Sequence, residues 1–142
     1  MRAQFESNKA DYVRLADLLH KDQGVRYIDA DFKVTGNKQE RTVTEYGDIL
    51  RRIGAKFVDV REDGSMDFAL WGDGGAIRSD SYIGVRYYPK DHGANTAAGW
   101  MQTVVPSLDS AKLPRENGSI ASGLYVVPIE PEWFLYRFEY RE

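Results

Sequence analysis

His92 lies in "KDHGANT" beside Asp91, and Ser79, Ser81, Ser107 and Ser110 stand to either side of it in the chain. A histidine oriented by a carboxylate can take the proton of a serine hydroxyl, which is the chemistry of a hydrolase. That chemistry needs the serine on a strained turn beside an oxyanion hole, and no G-x-S-x-G occurs. A small hydrolase, or a metal-dependent enzyme using His92 with loop carboxylates, therefore stands as an alternative reading. Asp29 and Asp31 are two apart, so an extended backbone presents both carboxylates on one side, as a divalent ion or an acid/base pair would require. No other residue supports that use, and a solvated edge after a strand accounts for them. His20 falls near the end of a helix, where a cation suits the helix dipole.

The stretch "WGDGGAIRSDSYIG", residues 71–84, offers a second chemistry, the cradling of a phosphate. Gly72 and Gly74 meet the first and third positions of a dinucleotide fingerprint, but Ile77 occupies the sixth, and a strand pattern follows where a helix is needed. No Gly-Lys-Ser/Thr occurs. The stretch reads as a connection between a strand ending at Trp71 and one starting at Tyr82, its glycines serving positive-φ turns. Counting back from Gly64 as the sixth position of a calcium loop puts Asp59 first and Asp63 fifth. Arg61 then stands third and Leu70 twelfth, where carboxylates are required, so the match is accidental. No metal and no cofactor is expected.

Composition narrows the classes further. The 142 residues are 42% hydrophobic, 29% charged and 13% aromatic with nine tyrosines, the profile of a globular domain rich in strands. A net charge of −3, with no run of lysines or arginines, lacks the footprint of a nucleic-acid binder. The absence of cysteine removes disulfides, thiolate zinc sites and a cysteine nucleophile. No run of about 18 apolar residues occurs, and "RAQFESNKADY" after Met1 is unlike a signal peptide. Taken literally, the chain reads as soluble and untargeted.

The elements that would position these residues follow from periodicity. Phe5, Tyr12, Leu15, Ala16 and Leu19 share one helical face, which predicts a helix over 3–22 stopped near Gly24. "VRYI", 25–28, reads as a short strand, and a polar segment with a Gly36-Asn37 turn follows. Thr42 to Glu45 matches a capping box for a helix over 43–53, with Tyr46, Ile49, Leu50 and Ile53 as its buried stripe. The period then changes to 2. Strands over 56–62 and 65–71 flank the hairpin dipeptide Asp63-Gly64, whose residues both suit positive φ, and a third strand covers 82–88. Strands over 123–129 and 133–140 form a second hairpin, with Phe134, Tyr136, Phe138 and Tyr140 on one face. Residues 1–142 are read as one α+β domain: an antiparallel sheet of about five to six strands with two helices packed on it.

Between them, 89–122 is a long loop with no sustained period apart from a short strand or turn at "QTVVPSLDS". It is the first place to expect a binding surface, and it carries His92 and Trp100. Trp71 falls on the hairpin face opposite Phe68 and Leu70, shared with Asp67, and Trp133 is out of phase with Phe134 and Tyr136. Helices covering those faces would make both tryptophans core; exposed, they would be interface anchors.

Taken together, "RAQFESNKADYVRLADLLHKDQGVRYID", "EYGDILRRIGAKF", "SDSYIGVRYY", "PSLDS" and "GLYVVPIEPEWFLYRFEY" resemble a broad set of small uncharacterised bacterial envelope proteins. Members of that set carry a lipoprotein signal or membrane anchor, two helices, a hairpin, a glycine/serine loop, a "SLD" motif and a terminal aromatic strand. Asp80-Ser81-Tyr82 departs from the lysine-glycine-tyrosine common there, and the terminal strand is longer. The set lends no activity to any residue. The resemblance implies a domain facing the periplasm, with Met1 standing in for a removed anchor.

The function expected from these observations is non-enzymatic protein binding in the bacterial envelope, in its sharpest form an immunity protein that neutralises a toxin. Trp71 and Trp100 would anchor the partner, with His92 beside them, while Asp73 and Asp80 steer a basic surface. A structural envelope protein is the remaining alternative.

Overall fold

A computed structural model describes residues 1–22, 25–29, 34–36, 40–76, 79–89 and 102–141. Along the chain run α1 (Arg2–Lys21), β1 (Val25–Asp29), β2 (Val34–Gly36), α2 (Glu40–Ile53), β3 (Phe57–Val60), β4 (Met66–Ala76) and β5 (Ser79–Tyr87). After residue 101 come β6 (Gln102–Val104), a 3-10 turn (Ser110–Lys112), β7 (Arg115–Glu116), β8 (Ser119–Ile120), β9 (Gly123–Glu130) and β10 (Trp133–Arg141). Eight strands form one sheet in the order β2-β1-β3-β4-β5-β10-β9-β6, and β7 with β8 form a separate ribbon. Every pairing is antiparallel except that of β6 with β9. The fold is α+β, with more strands than the sequence pattern suggests. The additions β2 and β6 have three residues each and sit at the sheet edges, too short to show a period of 2.

Both helices lie on one face of the sheet. The five buried residues of α1 are Phe5, Tyr12, Leu15, Ala16 and Leu19, the set its 3.6-residue period selects. Tyr46, Ile49, Leu50 and Ile53 are the buried stripe of α2. They meet Val58, Val60, Met66, Phe68, Val85, Trp133 and Leu135 from the sheet. Trp133 is the hub of this core, with ring centroids 4.9 Å from Tyr87, 5.2 Å from Phe5 and 6.0 Å from Tyr12. Tilted and edge-to-face pairs of this kind contribute about 0.5–1.5 kcal/mol each beyond the area they bury. Across the helix pair, Arg52 binds Asp11 at 2.9 Å and the Tyr46 hydroxyl donates to Asp22 at 2.8 Å.

Several local expectations change. The second helix starts at Glu40, so Thr42 lies inside it and the Thr42–Glu45 box does not mark its boundary. Glu40 and Arg41 are good helix formers and extend the first turn upstream. Between β3 and β4 only Gly64, at φ +86°, is left-handed; Asp63 is not. The Gly64 N–H donates to the Arg61 carbonyl and the Arg61 N–H to that of Ser65, a type I turn with a glycine bulge in place of a two-residue turn. The stretch 71–84 is not a connection between strands at Trp71 and Tyr82 but mostly strand itself, leaving 77–78 between β4 and β5. Gly72 takes no positive φ; it makes room for the ring of Tyr82, whose Cδ1 lies 2.4 Å from where a Cβ would stand.

The segment 89–122 is not a featureless loop either. Besides β6 it holds the 3-10 turn, capped by Asp109 accepting from the Ala111 N–H, and the β7–β8 ribbon. That ribbon turns at Asn117 and Gly118, both at positive φ, as a type I′ turn demands. Leu113, Ile120 and Tyr125 form a small cluster beneath it, and the Tyr125 hydroxyl donates to the Ala121 carbonyl at 2.7 Å.

Candidate binding cleft

The sheet face away from the helices is built in rows, because residues paired in register across antiparallel strands point to the same side. One row runs Tyr27, Asp59, Asp67, Arg86, Phe134 across β1, β3, β4, β5 and β10. The next runs Phe57, Ala69, Gly84, Tyr136, Val126, and the one after it Gly72, Tyr82, Phe138, Leu124. Charges fill the centre of the first row, small residues the second, and rings the third. Ala69 and Gly84 place almost no side chain between the flanking rows. A cleft of about 370 Å³ opens on this face, lined by Asp59, Arg61 and Asp67 on one side and by Tyr27, Phe57, Tyr82, Tyr136 and Phe138 on the other. That volume lies in the range of about 300–1,000 Å³ usual for small-ligand sites.

The rings are mutually arranged. Tyr27 and Phe57 stand 5.4 Å apart, Phe57 and Tyr82 meet edge to face at 5.4 Å, and Tyr82 stacks on Phe138 at 6.4 Å. Below them, burial holds the Tyr136 hydroxyl well above the usual tyrosine range, and burial likewise raises Tyr27, helped by Asp29.

With Arg61 from the turn after β3, the charged row gathers two acids and two bases. Asp67, 5% exposed, accepts from Arg61 at 2.6 Å and lies 3.3 Å from Nη1 of Arg86. Arg86 is wholly buried, its guanidinium lies 4.8 Å over the ring of Tyr88, and among the described residues none of its three nitrogens has a hydrogen-bond acceptor. Asp59 differs from Asp67: among the described residues its carboxylate takes part in no hydrogen bond and no ion pair. Burial and the neighbouring Asp67 raise its pKa above 3.8, and Arg61 and Arg86 oppose them. Among the described residues the cleft is therefore lined by one unpaired carboxylate, that of Asp59, while the unmet donors of Arg86 are sealed beneath.

Of the residues singled out in the sequence as partner anchors, only Trp71 has a described side chain, and it lies away from this cleft. Trp71 is half exposed, at 49%, and its partner in register is Ile83 because a bulge between Ala69 and Trp71 inserts one residue. That shift moves Trp71 off the face of Asp67, where strict alternation puts it, to the side of Val85 and the helices. Trp133 is core at 5% exposure, so the alternating rings of Phe134, Tyr136 and Phe138 face away from the helices. Asp73 pairs with Ser81 and Asp80 with Tyr140, and the side chains of both aspartates lie outside the described residues. His92, Trp100, Asp31 and Asn37 also lie outside them. Ser81 donates to Glu139 at 2.9 Å, and Ser107 accepts from the Asp109 N–H at 3.1 Å. His20 sits exposed in the last turn of α1.

Asp67 and Arg86 were the residues that sequence reading missed. The signal was there: both are charges inside runs with a period of 2, "SMDFALW" and "YIGVRYY", on the phase opposite the core residues Phe68 and Val85. A second cleft, of about 380 Å³, lies where α1 ends, between Leu19, His20 and the turn at Glu62 to Gly64. In it one oxygen of Asp63 already accepts from the N–H and hydroxyl of Ser65. Among the described residues no group of three or more His, Cys, Asp or Glu side chains could hold a metal ion, and no helix is long and apolar enough to cross a membrane. Compared with known proteins, the chain matches no family model, no curated protein and no solved structure.

Proposed function

We propose that this is a non-enzymatic binding domain of the bacterial envelope, whose protein partner docks on the sheet face away from the helices. The observation that carries this reading is the three-row face itself, rings beside a charged row with a cleft between them. Aromatic residues and arginine are the commonest anchors of protein interfaces, and a concave site at the centre of a patch is where such anchors work. The placement in the envelope rests on the resemblance of the two helices, the "SLD" motif and the aromatic terminal strand to small proteins of that compartment. In its sharpest form the reading is an immunity protein that neutralises a toxin delivered into the periplasm.

The test is protection. The neighbouring genes are first tested for a product toxic to a strain lacking this gene, and that strain is then complemented with the native chain or with a Tyr27→Ala, Phe57→Ala variant shown by circular dichroism to fold. Native protection lost in the variant supports the reading. Equal protection by both, or no sensitivity on deletion, overturns it.

A further inference from the structure

We infer that the cleft between the aromatic rings and Asp59 receives a lysine side chain, presented by the partner on the proposed binding face. The inference rests on that reading of the face and names the chemistry at its centre.

Four observations lead to it. The walls are rings: Tyr27, Phe57, Tyr82 and Phe138 stand in a chain of contacts between 5.4 and 6.4 Å. Ring faces attract a cation through their quadrupole, and a four-carbon stem lies well against them. Of the two carboxylates in the lining of the cleft, Asp67 is held by arginine and Asp59, among the described residues, has no side-chain hydrogen bond or ion pair. A cleft of about 370 Å³ holds such a side chain with room for water at its charged end. The domain is also acidic overall, at −3, which favours approach of a basic surface.

The alternative occupant is an anion drawn by the arginines, and reach decides against it. Arg86 is sealed at 0% exposure, so its unmet donors are closed to a ligand in the cleft. Arg61 does line the cleft, but Asp67 holds its guanidinium at 2.6 Å. Lysine is preferred to arginine because its ammonium is a compact point charge that one carboxylate can satisfy, while a guanidinium seeks a paired acceptor.

Asp59 also makes the site sensitive to pH. The charged groups acting on it are Asp67 from β4, Arg61 from the turn after β3 and Arg86 from β5, with the Tyr27 hydroxyl facing it from β1. Burial and Asp67 raise its pKa, so Asp59 is neutralised on acidification before an ordinary carboxylate is. Lysine binding then weakens as the pH falls through that point.

The test uses the whole chain and short blocked peptides, read by chemical-shift changes of the tyrosine and phenylalanine rings. The peptides are Ac-Gly-Lys-Gly-NH2, its norleucine and arginine counterparts, and free choline as a small-molecule cation. The expected result is lysine binding about five- to ten-fold tighter than norleucine, the range a cation–π contact with one carboxylate supports. Asp59→Asn should bring lysine down to the norleucine level. Tyr27→Leu, which keeps the charge and removes a ring, should weaken it to a smaller extent. Equal binding of lysine and norleucine, or unchanged lysine binding in Asp59→Asn, overturns the inference. So does choline binding tighter than lysine, which would make this a small-molecule site. No partner is needed, so the two claims fail separately: peptide failure with protection still lost in the ring variant removes only the lysine, and the reverse removes only the partner.

Discussion

Replacing Asp67 by asparagine separates a structural charge network from an ornamental one. Asp67 is contacted by two arginines, Arg61 at 2.6 Å and Arg86 at 3.3 Å. Arg61 keeps 21% of its side chain exposed and can turn toward water when its partner is neutralised. Arg86 has no such exit: it is fully buried, and its nitrogens lack any other acceptor. Removing one partner of a buried pair costs about 3–5 kcal/mol, because the remaining charge stays out of water. For 142 residues, at roughly 2.1 cal/mol/K per residue, that loss lowers the melting temperature by about 10–17 °C. It would also consume a large share of a total stability of about 5–15 kcal/mol.

The converse substitution, Arg86→Met, removes the charge that cannot be satisfied and leaves Asp67 its bond to Arg61. It should cost less than about 1 kcal/mol, or stabilise, as apolar replacements of buried ions often do. In the double variant most of the loss seen in Asp67→Asn is recovered. Urea unfolding of the four proteins completes the cycle, with midpoints compared at unchanged slope. A loss below about 1 kcal/mol in Asp67→Asn, or a double variant no more stable than Asp67→Asn, would refute the reasoning, since Arg86 would then be solvated or otherwise paired.

Two further outcomes follow from the same face. A Cβ at Gly84 would stand 1.9 Å from the Phe68 carbonyl oxygen and 3.0 Å from the ring of Tyr136. Gly84→Ala should therefore cost about 3 kcal/mol or more in denaturant midpoint, since backbone on the next strand cannot move aside alone. For Asp59 the sign runs opposite to that of a salt-bridged aspartate. Its folded pKa is raised above 3.8, so the native state binds more protons and stability falls as pH rises from 3.8 through the folded value. Asp59→Asn should accordingly melt higher than the native chain at pH 7, with the gain gone below pH 3.8; a gain that persists there would point to packing instead.

The helices were legible in detail because a 3.6-residue period is averaged over several turns: the buried residues of α1 and the stripe of α2 are the ones spacing selects. The paired strands were legible as strands but not as faces. On β10 the alternation of Phe134, Tyr136 and Phe138 suggests a core side, yet Trp133 and Leu135 take it, because rings cover both sides of this sheet and hydrophobicity alone cannot rank them. Trp71 was misplaced by one bulge, a backbone event that shifts all later residues by half a period and leaves no mark in composition. Asn117-Gly118 is the opposite case, a strong turn signal flanked by strands of only two residues each, too short to be noticed. The cleft itself was illegible because its parts come from β1, β3, β4, β5 and β10, and only pairing across the sheet brings Asp59, Asp67 and Arg86 into line.

The place of β10 in the sheet bears on how the chain reaches this form. It comes last in the sequence yet lies inside, between β5 and β9, joined to β5 from Trp133↔Tyr87 to Arg141↔Ser79. The hairpin of β4 and β5 can close early, since its partners are neighbours along the chain, but β5 must then wait with a bare edge. Such long-range pairing slows folding, and an unpaired edge is open to other chains meanwhile. During synthesis the exposure lasts until β10 has left the ribosome. Loss of β10 would split the sheet through its middle, separating β9 and β6 from the other strands, whereas loss of β2 or β6 would only trim an edge.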